Sequence, residues 1–199
     1  MGDVVGEGGS EVERFHATSG RVTGVIGLVV VGVVVLLPVV DRDLDRPLWV
    51  WPACGLAAVL LWCALLRPAV WVEGDRLVLR NMLDTVRLPL AGVEQVSVRQ
   101  FVAVRLGEKR YVGTGVSRSR RQGLRDDRKA GQGAEDLSYG AWVENRLWEL
   151  TDAARRDRGI RPAGEEQAAL AEEVRRQPAW AEISLLALFG VALVLAIVL

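Results

Sequence analysis

The sequence predicts a membrane α plus β protein: three transmembrane helices and a cytoplasmic antiparallel sheet or small barrel, capped by a C-terminal amphipathic helix. Three observations predict it. Three long stretches carry no charge, although 25% of the 199 residues are Asp, Glu, Lys or Arg. Between the second and third stretches, apolar residues alternate with period two in short runs separated by turn residues. One later stretch changes to helical spacing and is amphipathic. A formal net charge of +0 and only two cysteines exclude a strongly basic nucleic-acid binder and a disulfide-built secreted scaffold. A hydrophobic fraction of 50% excludes a disordered chain.

Residues 1–21 read as a polar tail. A two-helix transmembrane hairpin follows over 22–66. Its first uncharged stretch is Val22 to Val40 and its second is Pro47 to Leu66. Each is about as long as a helix needs to cross a hydrocarbon core of roughly 30 Å. The first is too long for a secretory h-region, follows an acidic segment and is followed at once by another span, so it reads as a retained helix. The third span is expected over 180–199, with its uncharged part from Ile183 to Leu199. Trp49, Trp51 and Trp180 sit near span ends, where indoles favour the membrane interface. Cys54 and Cys63 are nine positions apart, on opposite helix faces, and cannot bridge each other. Gly20 and Gly24 form a small-xxx-small pair of the kind that brings membrane helices together, here at a span end.

Basic residues set the expected orientation. All Lys and Arg except Arg14, Arg21, Arg42 and Arg46 lie between Arg67 and Ala179. Those nearest the spans are Arg14, Arg21, Arg67, Arg76, Arg80, Arg175 and Arg176. They place the N-terminus and the large polar segment in the cytoplasm of a multi-pass plasma-membrane protein, with Leu199 at the outer face.

The polar domain is expected over 67–160. Runs at 69–73, 76–80, 85–90, 93–99, 101–106 and 110–114 alternate, with turns at Gly74-Asp75, Asn81–Asp84 and Gly107-Glu108. Six short strands of this kind form an antiparallel meander. Pro89 belongs at an edge or beside a bulge. Residues 117–137 are polar, glycine-containing and without apolar period, and read as a mobile basic loop, with a short last strand at Val116 to Arg118. Ser138 is a candidate cap for a helix ending near Arg158, with Tyr139, Val143, Leu147, Leu150 and Ala154 as its apolar stripe. A helical linker over 161–179 leads to the third span.

No catalytic constellation is present. His16 is the only histidine, and no HExxH, CxxC or Ser-His-Asp set can be built. Gly113-Thr114-Gly115 lacks the third glycine and the acidic ribose ligand of a dinucleotide site. Hence no enzyme activity, no metal and no cofactor is expected. The one charge cluster is Arg118, Arg120, Arg121, Arg125, Arg128 and Lys129. Guanidinium and ammonium groups near an anionic leaflet gain about 1 kcal/mol each, so these six are the candidate residues for binding lipid headgroups or a protein partner. No aromatic residues are interleaved with them, which speaks against nucleic acid.

Strands, a loop and one C-terminal amphipathic helix form the layout of a pleckstrin-homology (PH)-like domain. The run VEGDRLVLRNMLDTVRLPLAGVEQVSVR, residues 72–99, resembles the membrane-anchored bacterial PH-domain proteins of actinobacteria. The carrying features are the strand before Gly74-Asp75, the Leu77–Asn81 run, the Arg87–Leu90 run and the valine-rich strand after it. The resemblance covers about residues 20 to 120 and implies a two-span module before a small PH-like domain. It carries no catalytic residues. The third span goes beyond the pattern, and the first hairpin bears Glu73 and Asp75 where phosphoinositide-binding PH domains place basic residues. Two functions are expected. The first is a non-catalytic membrane adaptor whose partners are the bilayer, anionic headgroups and an unknown protein. The second is a structural accessory subunit of a larger transport or export complex. Absence of charge within the spans argues against a channel or proton-coupled carrier.

Overall fold

The six alternating runs form six strands. The structure, a computed structural model, describes residues 4–5, 12–16, 20–40, 47–116, 139–162 and 164–199. They divide into a β unit (1–19, 68–81 and 85–177) and a helical unit (20–67, 82–84 and 178–199).

In the β unit, β1 (Val4–Val5), β2 (Val12–Phe15), β3 (Ala69–Glu73), β4 (Arg76–Arg80), β5 (Asp84–Pro89) and β9 (Arg175–Pro178) form one sheet in the order β1-β2-β3-β4-β5-β9. Strands β6 (Gln95–Val98), β7 (Val102–Leu106) and β8 (Lys109–Gly113) form a second, antiparallel sheet. Gly74 and Gly107 turn the β3–β4 and β7–β8 hairpins at φ 59°, a left-handed conformation that glycine adopts without steric cost. Pro89 ends β5 and leads into a single 3-10 turn, Leu90–Gly92. It therefore removes no hydrogen bond from a strand centre.

Period two places Val70, Val72, Leu77, Leu79, Val86 and Leu88 on one face of the first sheet. They pack with Val96, Val98, Val102, Val104 and Leu106 of the second into one core. Leu77, Leu79, Leu88 and Leu106 are fully buried, each contributing about 1.5–3 kcal/mol. Helix α3 (Tyr139–Arg158) covers this core with Val143 and Leu147, both fully buried. The expected Tyr139, Leu150 and Ala154 pack against the core as well, partly buried, and Thr151 and Arg155 are buried beside them. The Arg155 guanidinium donates to the Val93 carbonyl. Gln167 Nε2, also buried, donates to Val93 O at 3.2 Å and Gly92 O at 3.4 Å. These donors satisfy the carbonyls of Gly92 and Val93 at the end of the 3-10 turn.

Two stretches differ from expectation. Within the supposed polar tail, Val12–Phe15 is a strand paired with β3, and Phe15 is 4% exposed. Two apolar residues separated by Glu-Arg were too short a pattern to register. The expected linker helix is instead a short helix α4 (Glu165–Ala169), a 3-10 turn (Leu170–Glu173) and strand β9. Strand β9 has no apolar face and exists because it adds to the edge of the first sheet. Val116 is buried in the core without strand geometry, and the rest of the expected last strand lies outside the described residues.

In the helical unit, α1 (Arg21–Val40) and α5 (Trp180–Val198) are long and apolar enough to cross a membrane. Helix α2 (Val50–Leu61) continues in a wider, π-type turn (Trp62–Leu66). Together these form a shorter apolar helix, Val50–Leu66, about 25 Å long at about 1.5 Å per residue. Helix α2 packs between α1 and α5. Gly24 and Gly27 admit Leu65, Leu66 and Leu61, and Gly55 admits the Phe189 ring. The small residues thus serve packing within one chain, as they do generally between apolar helices. The outward side chains of α1 and α5 are apolar and exposed, Val29, Leu36, Leu188 and Val194 among them.

Candidate functional site

The register of the first sheet fixes where the chain leaves the β unit. Phe15 pairs with Val70, Ala69 with Arg80, and Arg80 with Thr85. Residues 15, 69, 80 and 85 therefore lie side by side at one end of the sheet. The chain passes to or from the helical unit after each of these strand ends: after β2, before β3, after β4 and before β5. The opposite end carries the Gly74-Asp75 turn, with Glu73 and Asp75.

The second sheet is tied into the same end. Asn81 Nδ2 donates to Val112 O (3.0 Å), and the backbone N–H of Thr114 donates to Asn81 Oδ1 (3.3 Å). One amide thus closes the corner between β4 and β8. A Cβ on Gly113 would meet Leu79, and one on Gly115 would lie 2.8 Å from the Ala69 backbone. These glycines allow a close approach that any other residue would block. Because Val102 pairs with Gly113, the β6–β7 turn, Arg99 to Phe101, lies at this end as well.

The predicted site residues Arg118, Arg120, Arg121, Arg125, Arg128 and Lys129 all lie outside the described residues. Their stem is described. Val116 is buried, and the adjacent Gly115 touches Ala69. The basic segment therefore departs from the end at which the chain joins the helices. The far end of the segment returns to α3 at Tyr139.

Helix α3 is held to β2 by charge and aromatic contact. Arg146 Nε lies 2.9 Å from Glu13 Oε1 and its Nη2 lies 3.1 Å from Oε2, a bidentate pair. The Glu13 carboxylate, with help from Glu149, holds the Arg146 guanidinium well above its ordinary pKa. Trp142 packs edge-on to Phe15 and stacks on Tyr139. The Tyr139 hydroxyl accepts the His16 N–H at 2.6 Å. Burial pushes the phenol pKa up, and that hydrogen bond offsets part of the effect.

The helical unit has its own polar cluster. Arg67 Nε lies 2.7 Å from Glu182 Oε1, with side chains 5% and 18% exposed. Its Nη1 donates to Met82 O (3.3 Å) and Asp84 O (3.4 Å), and Ala179 N donates to Leu83 O (2.8 Å). The end of α2, the start of α5 and the Met82–Asp84 loop are thereby joined. Sequence reading assigned Arg67 and Glu182 to flanks of separate spans and had no signal that they meet. Four tryptophans mark the ends of α2 and α5: exposed Trp49 and Trp51 at one end of α2, Trp62 at the other and Trp180 at the start of α5.

Among the described residues, no three His, Cys, Asp or Glu side chains group as metal ligands. No family model, no curated protein and no solved structure matches this chain.

Proposed function

We propose that this protein is a non-catalytic plasma-membrane adaptor with three spans and a cytoplasmic PH-like β unit. The observation that carries the reading is the pairing of β2 with β3. These strands precede and follow the α1–α2 hairpin, yet they are hydrogen-bonded side by side. Residues 15 and 70 must therefore lie on one face of any membrane. If α1 crosses, α2 must cross back, although it is only about 25 Å long; a bilayer accommodates such a mismatch by thinning slightly. Helix α5 then makes the third crossing. Arg14, Arg21, Arg67, Arg76, Arg80, Arg175 and Arg176 favour the cytoplasm for the β unit.

The order of strands in two sheets followed by one amphipathic helix suits a PH-like domain, as does the resemblance of residues 72–99 to the bacterial PH-domain proteins. In this reading the first strand of the domain lies before the helical hairpin. Binding falls to Arg118, Arg120, Arg121, Arg125, Arg128 and Lys129, which follow the Gly115-Val116 stem in sequence. Tethering there raises their effective concentration at the leaflet and at any membrane-bound protein partner.

The test uses the full chain, purified in mild detergent with its bound proteins, beside the triple variant Arg118→Glu, Arg120→Glu, Arg121→Glu. An adaptor loses its partner when these charges are reversed. Retention by the triple variant, with loss when α5 is replaced by an unrelated span, would transfer recognition to the helices and establish the accessory-subunit reading.

A further inference from the structure

Among the described residues, the β unit exposes two large hydrophobic side chains, Phe101 at 41% and Val112 at 37%. A soluble sheet scatters such residues without consequence; here both lie at one place. Phe101 is in the β6–β7 turn. Val112 is one residue before Gly113, which pairs with Val102. Both belong to the end of the β unit from which the chain passes into the helices.

Charge is distributed along the same axis. At the far end, acidic Asp75 is taken up by Arg158 and Arg76, and Glu94 by Arg105. At the helix-joining end, Arg80 and Arg99 have no carboxylate partner among the described residues. On the neighbouring helix, the Glu144 carboxylate accepts the Val98 N–H at 3.0 Å. An exposed ring beside an uncompensated guanidinium suits a phospholipid interface: the ring enters the acyl–headgroup boundary and the guanidinium binds phosphate oxygens.

We propose that the Arg99–Phe101 turn, with Val112 near it and Arg80 at the same end of the β unit, is a contact with the anionic leaflet distinct from residues 118–129. It rests on the membrane reading above.

The experiment uses the full chain in nanodiscs, in a Cys54→Ser, Cys63→Ala background. A nitroxide is attached at Phe101→Cys, at Glu108→Cys in the far turn, or at Leu188→Cys on α5. Its accessibility to oxygen and to an aqueous nickel chelate is measured in phosphatidylcholine alone and with phosphatidylglycerol. The label at 101 is expected to favour oxygen, as at 188, while the label at 108 favours nickel. Adding Arg99→Gln should lower the ratio of immersed to water-exposed label at 101 in the anionic discs by about fivefold, the equivalent of about 1 kcal/mol for one basic residue. Nickel access at 101 equal to that at 108, with 188 still in lipid, overturns the contact and leaves the spans standing. Nickel access at 188 overturns the membrane reading itself, and the contact with it.

Discussion

Replacing Arg67 with Met should destabilise the helical unit by about 3–5 kcal/mol, the cost of leaving one partner of a buried ion pair alone. The guanidinium is 5% exposed, and its acceptors include Glu182 Oε1 at 2.7 Å, Met82 O at 3.3 Å and Asp84 O at 3.4 Å. Its loss takes the guanidinium from a carboxylate that is only 18% exposed and a donor from two carbonyls. Glu182→Gln is milder, because the amide oxygen still accepts from Nε; about 1–2 kcal/mol is expected, the difference between a charged and a neutral hydrogen bond. The double variant Arg67→Met, Glu182→Leu should recover at least half of the Arg67→Met loss, since neither charge is then buried. Equilibrium unfolding of the full chain in detergent, followed by the fluorescence of Trp62 and Trp180 with the other five tryptophans replaced by Phe, reads all three. A cost below about 1 kcal/mol for Arg67→Met would refute the reasoning, since an exposed pair costs no more. Equal costs for Arg67→Met and Glu182→Gln would also refute it.

Four further outcomes follow from the β unit and the packing of the helices. Leu147→Ala, at a fully buried position of α3, should cost about 2–5 kcal/mol in chemical denaturation of the full chain. Thr151 Oγ1 is buried with no protein partner, so Thr151→Val should be neutral or stabilising by about 1 kcal/mol; a loss above that would show the hydroxyl is used. Gly55→Ala meets the Phe189 ring and should loosen α2 from α5, whereas Gly32→Ala, with nothing within 4 Å of its Cβ, should change stability by less than about 0.5 kcal/mol; thermal melting in detergent compares them. In a Tyr111→Phe background Tyr139 is the only tyrosine of the chain, and its phenolate absorbance should appear at higher pH than that of free tyrosine. The unfolded chain then ionises first, so stability is present below the ordinary tyrosine pKa and is lost as pH rises from there through the raised folded value.

Much of the β unit was legible because its strands are short, alternating and punctuated. Leu77, Leu79, Val86 and Leu88 face the core as period two requires, and Gly74 and Gly107 turn where expected. What was not legible depends on partners distant in sequence. Val12–Phe15 has too few residues to show a period, and its partner β3 lies beyond the whole helical hairpin. Arg175–Pro178 has no apolar residue facing a core and is a strand only through its neighbour β5. On α3 the expected apolar stripe packs on the core, but nothing in the sequence marks Thr151 and Arg155 as buried beside it. The buried guanidinium at 155 is held by a carbonyl 62 residues earlier. The same limit applies to the site. The basic cluster is visible in the sequence, but the place where its stem leaves the fold comes from Gly115 against Ala69. The exposed Phe101 carried no signal until register put it at the end that joins the helices.

In the proposed topology α1, α2 and α5 all cross the bilayer, with the β unit in the cytoplasm. Single cysteines at Leu48, Lys109 and Leu199, in a background lacking Cys54 and Cys63, test it with a membrane-impermeant maleimide on intact cells. Leu48 is 69% exposed between α1 and α2, and Leu199 is 99% exposed at the end of α5. Cysteines at 48 and 199 should label in intact cells, and the cysteine at 109 only after permeabilisation. Labelling of 48 and 109 from the same side would contradict the account, because α2 would then not cross.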